Sequence, residues 1–138
     1  MSYINLRSWI KTKLETISDL EVFDYPTNDH NYYPYVVIES SPSTAEYGTN
    51  RQVKRVYNFS IHLYMSLADN VRGAQNGETL FLTKVDEITS LFDNPVNWHS
   101  EGNSDLVRLT NTNLENIEDA GPYVRHAELN ISITKLSA

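Results

Sequence analysis

From Val53 to Leu67 the chain alternates without a break. Val53, Arg55, Tyr57, Phe59, Ile61, Leu63, Met65 and Leu67 form one row, apolar apart from Arg55. Lys54, Val56, Asn58, Ser60, His62, Tyr64 and Ser66 form the other, mainly polar. This is the period of a strand with one buried and one wet face. At about 3.4 Å per residue the run spans roughly 50 Å if straight. A compact chain of this length has a radius of gyration near ~14 Å, hence a body roughly 35–40 Å across. No Gly or Pro interrupts the run to mark a bend. The strand is therefore expected to leave the body at its start, around Arg51 to Arg55, as part of an arm.

Helical spacing appears twice. Tyr3, Leu6, Ile10, Leu14 and Ile17 make one stripe, which predicts a helix over Ser2 to Ser18 with Ser2 as its N-cap. Trp9 sits at the edge of that stripe and Ile4 opposite it. Phe81, Val85, Ile88 and Phe92 make the other, predicting a helix over Glu78 to Phe92 that Asn94-Pro95 ends.

Between these, "LEVFDYP" reads as a short strand and "TNDHNYY" as a turn. "YPYVVIESS" is a second strand, whose Val36-Val37-Ile38 centre suggests burial on both faces. "PSTAEYGTN" reads as a loop joining it to the long strand, in an extended antiparallel hairpin with Tyr47 near its tip. "ADNVRGAQNG" is a further loop, and "VNWHSEGNSD" is irregular, with a short strand near Val96 to Trp98. A closing hairpin follows: Asp105 to Ile117, less regular at "TNTN", then the turn "EDAGP", then an alternating strand from Tyr123 to Thr134. The order predicts an α+β domain, a mainly antiparallel sheet with a long central hairpin and two helices packed on one face. One domain spans 1–138, with residues 39–55 as a projecting hairpin or loop.

Composition narrows the chemistry more than the fold. The 138 residues contain no Cys, so there is no disulfide, thiolate metal site or cysteine nucleophile. No apolar run is long enough for a signal peptide or a membrane span, so no membrane association is expected. A net charge of -7 argues against phosphate-neutralising nucleic-acid binding. No Lys or Arg falls between Lys13 and Arg51, while Glu15, Asp19, Glu21, Asp24, Asp29, Glu39 and Glu46 do. Arg51, Lys54 and Arg55 then cluster. Either this is a solvated acidic surface with a few ion pairs, or the basic tip of one subunit meets the acidic flank of another.

Catalytic and cofactor signatures do not assemble. His30, His62, His99 and His126 lack metal-ligand spacing. His62 and His126 lie on the polar rows of two predicted strands and face each other if those strands pair; they are read as solvated histidines rather than metal ligands. The five glycines, at 48, 73, 77, 102 and 121, cannot write a nucleotide fingerprint or a phosphate loop. No G-x-S-x-G elbow exists. Neighbouring carboxylates such as Asp86 and Glu87 diverge by about 100° on a helix; Glu118 and Asp119 fall in a turn. Asn58-Phe59-Ser60 and Asn130-Ile131-Ser132 match the glycosylation sequon inside predicted strands, and are read as chance. No catalytic residue, cofactor or metal is expected. Tyrosine is the outlier: Tyr32, Tyr33 and Tyr35 flank Pro34, and Tyr47 lies in the predicted loop. Tyrosine joins apolar area to a polar tip, which suits interfaces and also core edges. Tyr32, Tyr33, Tyr35, Tyr47, Arg51, Lys54 and Arg55 are the candidate subunit or partner interface.

Over nearly its full length the chain resembles the tail terminator (tail completion) proteins of long-tailed bacteriophages, and related head–tail joining proteins look similar. The resemblance rests on the spacing and hydropathy of "INLRSWIKTKLETISDLEVFDYP", "YPYVVIE", "RVYNFSIHLYM", "ETLFLTKVDEITSLF" and "GPYVRHAELNISITKL". It implies a non-enzymatic ring former, hexameric, seated on the end of a completed tail tube. Such a ring stops tube growth and presents a surface to the head connector or stopper protein. It implies a place in the virion neck, reached from the host cytoplasm during assembly, with tail tube protein and connector as partners. Genomic DNA would pass the lumen without specific binding, which suits a net negative chain. Two other readings stand beside it: a monomeric or dimeric adaptor binding a protein through the Tyr-rich edge, and an enzyme whose carboxylates are scattered through the sequence.

Overall fold

A computed structural model of the chain describes residues 3–25, 34–47, 53–66, 73–94, 106–117 and 124–137. Its elements are helix α1 (Tyr3–Leu14), strands β1 (Glu21–Phe23), β2 (Tyr35–Tyr47) and β3 (Val53–Ser66), helix α2 (Gly73–Asp93), and strands β4 (Leu106–Ile117) and β5 (Val124–Ser137). The five strands form one sheet in the order β1-β2-β3-β5-β4. Only β1 and β2 run parallel. The α+β class, the mainly antiparallel sheet and the one-sided packing of both helices are all as the alternation implied.

Period-two patterning sets the two faces. Tyr57, Phe59, Ile61, Leu63 and Met65 of β3 stand beside Ala127, Leu129, Ile131 and Ile133 of β5 and Val36 and Ile38 of β2, all buried. Leu6, Ile10 and Leu14 of α1 and Phe81, Val85, Ile88 and Phe92 of α2 cover that face and complete one core. Each fully buried Leu, Ile or Phe contributes about 1.5–3 kcal/mol. Trp9, at the edge of the stripe, packs edge-on against Phe92 at 6.0 Å; Ile4, opposite, is 65% exposed.

Several boundaries differ from expectation, each for a local reason. Helix α1 stops at Leu14 rather than Ser18. Its last turn tightens, with Thr16 N–H donating to Lys13 O at 3.1 Å and Ile17 N–H to Leu14 O at 3.0 Å. The Thr16 hydroxyl also donates to Lys13 O at 2.6 Å, and Asp19 follows at φ 56, in the left-handed region. Helix α2 begins at Gly73, not Glu78: apolar docking from Phe81 onward outweighs the roughly 1 kcal/mol that each glycine costs a helix. The stretch read as a loop after Ser41 is strand as far as Tyr47. A register shift between Ser41 and Thr44 takes up Pro42, which lacks an N–H and is tolerated on an edge strand at a bulge. The irregularity expected at "TNTN" is a second shift, between Leu109 and Asn111.

The arm is where expectation and structure part. β3 is paired from its first residue on both sides: Val53 opposes Tyr47 of β2 and Ser137 of β5. Residues 39–47 and 53–55 are therefore part of a laddered three-stranded tongue, not a free two-stranded hairpin. The company so long a strand requires is supplied within the chain, by a strand of equal length, 14 residues. Helix α1 begins over this region, where Tyr3 donates to Ser41 O at 2.6 Å and meets the Tyr57 ring edge-on at 4.9 Å. The strands near Val96 to Trp98 and the turns "TNDHNYY" and "EDAGP" lie outside the described residues.

Candidate functional site

The helix-free face of the sheet carries the chain's unusual chemistry. Alternation sends the intervening residues of β2, β3 and β5 to this side, where register arranges them in rows. Tyr35, Tyr64, His126 and Glu115 make one row across β2, β3, β5 and β4. Val37, His62, Glu128 and Asn113 make the next, then Glu39, Ser60, Asn130 and Asn111, then Ser41, Asn58, Ser132 and Arg108.

In the last two rows the apparent glycosylation sequons find a structural role. Asn58-Phe59-Ser60 and Asn130-Ile131-Ser132 oppose each other antiparallel, Asn58 to Ser132 and Ser60 to Asn130. The Ser60 hydroxyl donates to Asn130 Oδ1 at 2.7 Å, and the Ser132 hydroxyl to Asn58 Oδ1 at 2.8 Å. Asn58 Nδ2 donates onward to Pro42 O at 2.9 Å, tying the bulge of β2 to β3. Polar groups, including the buried Ser60, are thus paired across the middle of the sheet.

The first three rows hold a longer chain of contacts. His62 Nε2 is 3.2 Å from Glu39 Oε2. His62 Nδ1 faces His126 Nε2 at 2.8 Å, and His126 Nδ1 faces Glu115 Oε1 at 2.5 Å. The imidazole planes differ by 9° with centroids 5.1 Å apart, the separation of two rings lying in line and bonded edge to edge. Tyr35 stacks on Tyr64 at 4.9 Å, and Tyr64 on His126 at 4.8 Å. Burial lowers the His62 pKa, as does His126, against the opposing pull of Glu39 and Glu128. Burial raises that of the Tyr64 phenol, with Glu39, Glu115 and Glu128 adding to it.

Alternation puts His62 and His126 on polar rows that face each other if their strands pair; β3 and β5 do pair, and the two rings meet across a diagonal of the register. They are not plain solvated histidines, however. His126 is 6% exposed and both rings are bonded. Among the described residues, no three His, Asp or Glu side chains gather into a metal-binding cluster. The continuity of the chain across four strands was not legible in the sequence, because it depends on the register of β3 against β5.

The interface candidates fare differently. Tyr35 is 7% exposed, its ring taken up by Tyr64 and, edge-on at 6.1 Å, by Phe23, so it braces its own sheet. Its position as the first residue of β2, beside β1, buries it from both sides. Arg55 is half-buried and opposes Ala45 and Lys135. Tyr47 and Lys54 close the hairpin opposite Val53 and Glu46. Tyr32, Tyr33 and Arg51 lie outside the described residues, as do His30 and His99.

Two further polar ties were missed in the sequence. Lys84, 4% exposed, donates from Nζ to Ser18 O at 2.7 Å and pairs with Glu87 at 3.3 Å, fastening α2 to the turn that follows α1. Arg125 lies over the Phe81 ring at 5.1 Å and donates to Glu78 Oε1 at 3.2 Å. An isolated charge within an apolar pattern is the sequence signal in both cases. No protein-family model and no curated protein matches this chain.

Proposed function

We propose that the chain is a non-enzymatic virion-assembly protein of the tail terminator kind. Its copies close head to tail into a ring, hexameric as the resemblance implies, at the head-proximal end of a phage tail tube. The ring ends tube growth and offers its other surface to the head connector. The observation that carries this reading is a single sheet with two long, dissimilar edges. Among the described residues β1 pairs only with Tyr35 to Val37, so the outer edge of β2 from Ile38 to Tyr47 has no strand beside it. The outer edge of β4, Leu106 to Ile117, has none either. Unpaired edges invite strand or loop addition from another chain. Contact between two different edges is heterologous, and repeats into a ring where the rotation closes.

Charge supports the same arrangement. In a chain of net charge -7, Lys54, Arg55 and Lys135 hold neighbouring register positions at the far end of the tongue, Arg55 opposite Lys135. A basic tip of this kind is complementary to an acidic flank on a neighbouring copy. The acidic remainder suits a channel through which DNA slides without sticking. Mass measurement in solution, alone and with added tail tubes, tests the reading. A closed assembly is expected, with tubes or without them. Monomer at every concentration, tubes present, sinks it and favours an adaptor. Micrographs of particles made without the protein are expected to show overlong, headless tails; normal tails lacking heads would make it a joining protein instead.

A further inference from the structure

Glu39, His62, His126 and Glu115 belong to β2, β3, β5 and β4 and meet in three successive contacts, of 3.2, 2.8 and 2.5 Å. Each contact, to be a hydrogen bond, needs one N–H. Two neutral imidazoles carry two N–H groups between them, and a carboxylate carries none. Filling all three contacts therefore takes one proton more than the neutral pair holds. The filled chain has a single imidazolium charge, shared by the pair, between two carboxylates. A second added proton puts N–H on both facing nitrogens, 2.8 Å apart, where neither can accept. The central bridge must then open.

We propose that this chain is an acid-opened latch across the seam of the sheet. The His62–His126 bridge joins β3 to β5, and so joins the hairpin of β2 and β3 to the closing hairpin of β4 and β5. It is closed while the imidazole pair holds one extra proton, and it opens when the pair takes up a second. The surroundings set the threshold. Glu39 from β2, Tyr64 from β3, Glu115 from β4 and Glu128 from β5 are the titratable groups that face the pair, and both helices lie on the other side of the sheet. Arg125, the nearest cation in β5, points to the helix side, over Phe81. Glu39 and Glu115 stay well exposed at the ends of the chain, with side-chain exposures of 58% and 60%, and each faces a ring nitrogen. Burial and the neighbouring His126 ring lower the pKa of His62.

The sign follows from proton counting. An unfolded chain protonates both histidines near pH ~6.5. The folded chain holds back the second proton until the solution is more acidic. Between those points the unfolded state binds more protons, so stability falls as pH falls, by about tenfold in the folding constant per pH unit for one excess proton.

Long-range 15N–1H correlation of the imidazoles in the intact chain, from pH 8 to 4.5, tests the latch directly. The expected result is a plateau at which the pair holds three N–H protons, one of them bridging and slow to exchange. A second uptake, displaced to the acid side of a free imidazole, should abolish the bridging signal. A single step from two N–H protons to four, at the free-imidazole value, overturns the proposal. In parallel, the double variant His62→Asn, His126→Gln is expected to lose the acid-side slope of stability measured by urea unfolding. An unchanged slope overturns the latch; if the variant does not fold, the titration of the intact chain decides alone. The outcome does not depend on the assembly state, so it stands or falls apart from the ring.

Discussion

Replacing Asn130 by Ala is expected to destabilise the protein more than replacing its partner Ser60, although both changes delete the same hydrogen bond. The Ser60 hydroxyl, 7% exposed, donates to Asn130 Oδ1 at 2.7 Å, while Asn130 is half-buried. In Ser60→Ala the orphaned amide oxygen regains water, and the loss is about 1 kcal/mol, the net worth of a neutral hydrogen bond. In Asn130→Ala the hydroxyl is stranded in a buried place, and the penalty rises to about 2 kcal/mol. The double variant removes donor and acceptor together, so it should cost less than the two singles combined, with a coupling of about 1 kcal/mol. Urea unfolding reads this out: with a slope of about 2 kcal/mol/M, the midpoints fall by about 0.5 M and 1 M for the singles. The Asn58–Ser132 pair offers a comparison. Both residues are half-buried, so Ser132→Ala should cost about 1 kcal/mol or below, and Asn58→Ala up to about 1 kcal/mol more, because it also removes the bond to Pro42 O. Additivity within about 0.3 kcal/mol at Ser60 and Asn130 would refute the reasoning. It would mean that β5 does not lie in this register on β3, since a slip of one residue sends Asn130 to the core face.

Phe59→Ala, at the centre of the core, should cost about 3–5 kcal/mol by thermal unfolding, whereas Leu114→Ala, on the exposed side of β4, should cost under about 1 kcal/mol. Lys84→Met keeps the buried stem but removes the tie to Ser18 O; since Ser18 is exposed and can be hydrated, about 1 kcal/mol is expected, with faster amide exchange over residues 15–20. Among the nine tyrosines, Tyr64 should ionise at more alkaline pH than the usual value of about 10, and Tyr64→Phe should delete that late component of the ultraviolet titration. Its raised pKa means the unfolded state gives up this proton first, so Tyr64 should make stability fall as pH rises through about 10, a slope that the Phe variant lacks.

Much of this architecture is written in period two and period 3.6. The rows of Val53 to Leu67 and Tyr123 to Thr134 gave both central strands and their buried faces, and Phe81, Val85, Ile88 and Phe92 gave the docking side of α2. What alternation cannot give is which strands pair and in what register. Reading β3 without β5 made an arm out of a central strand. Reading Asn58-Phe59-Ser60 and Asn130-Ile131-Ser132 separately made two chance sequons out of one reciprocal motif. The same blindness hid the proton chain: Glu115 lies directly opposite His126, but His126 meets His62, and His62 meets Glu39, only across diagonals of a four-strand register. Residues 42–47 were misread because Pro, Ser and Thr signal loops locally, whereas the ladder to β3 overrides that preference. Tyr35 looked like an interface residue because its neighbours in sequence are tyrosines; its neighbour in space, Tyr64, lies across the hairpin.

The strand that closes the sheet's interior is made after every other described element. While a ribosome is still producing β4 and β5, the hairpin of β2 and β3 has already emerged with one long flank bare, carrying Phe59, Ile61 and Leu63. Such a nascent chain cannot finish folding from its N-terminal side and must wait for a distant partner, which slows maturation and exposes a sticky margin meanwhile. Crowded synthesis of many copies at once, without a chaperone to shield that margin, is when this polypeptide is most prone to precipitate.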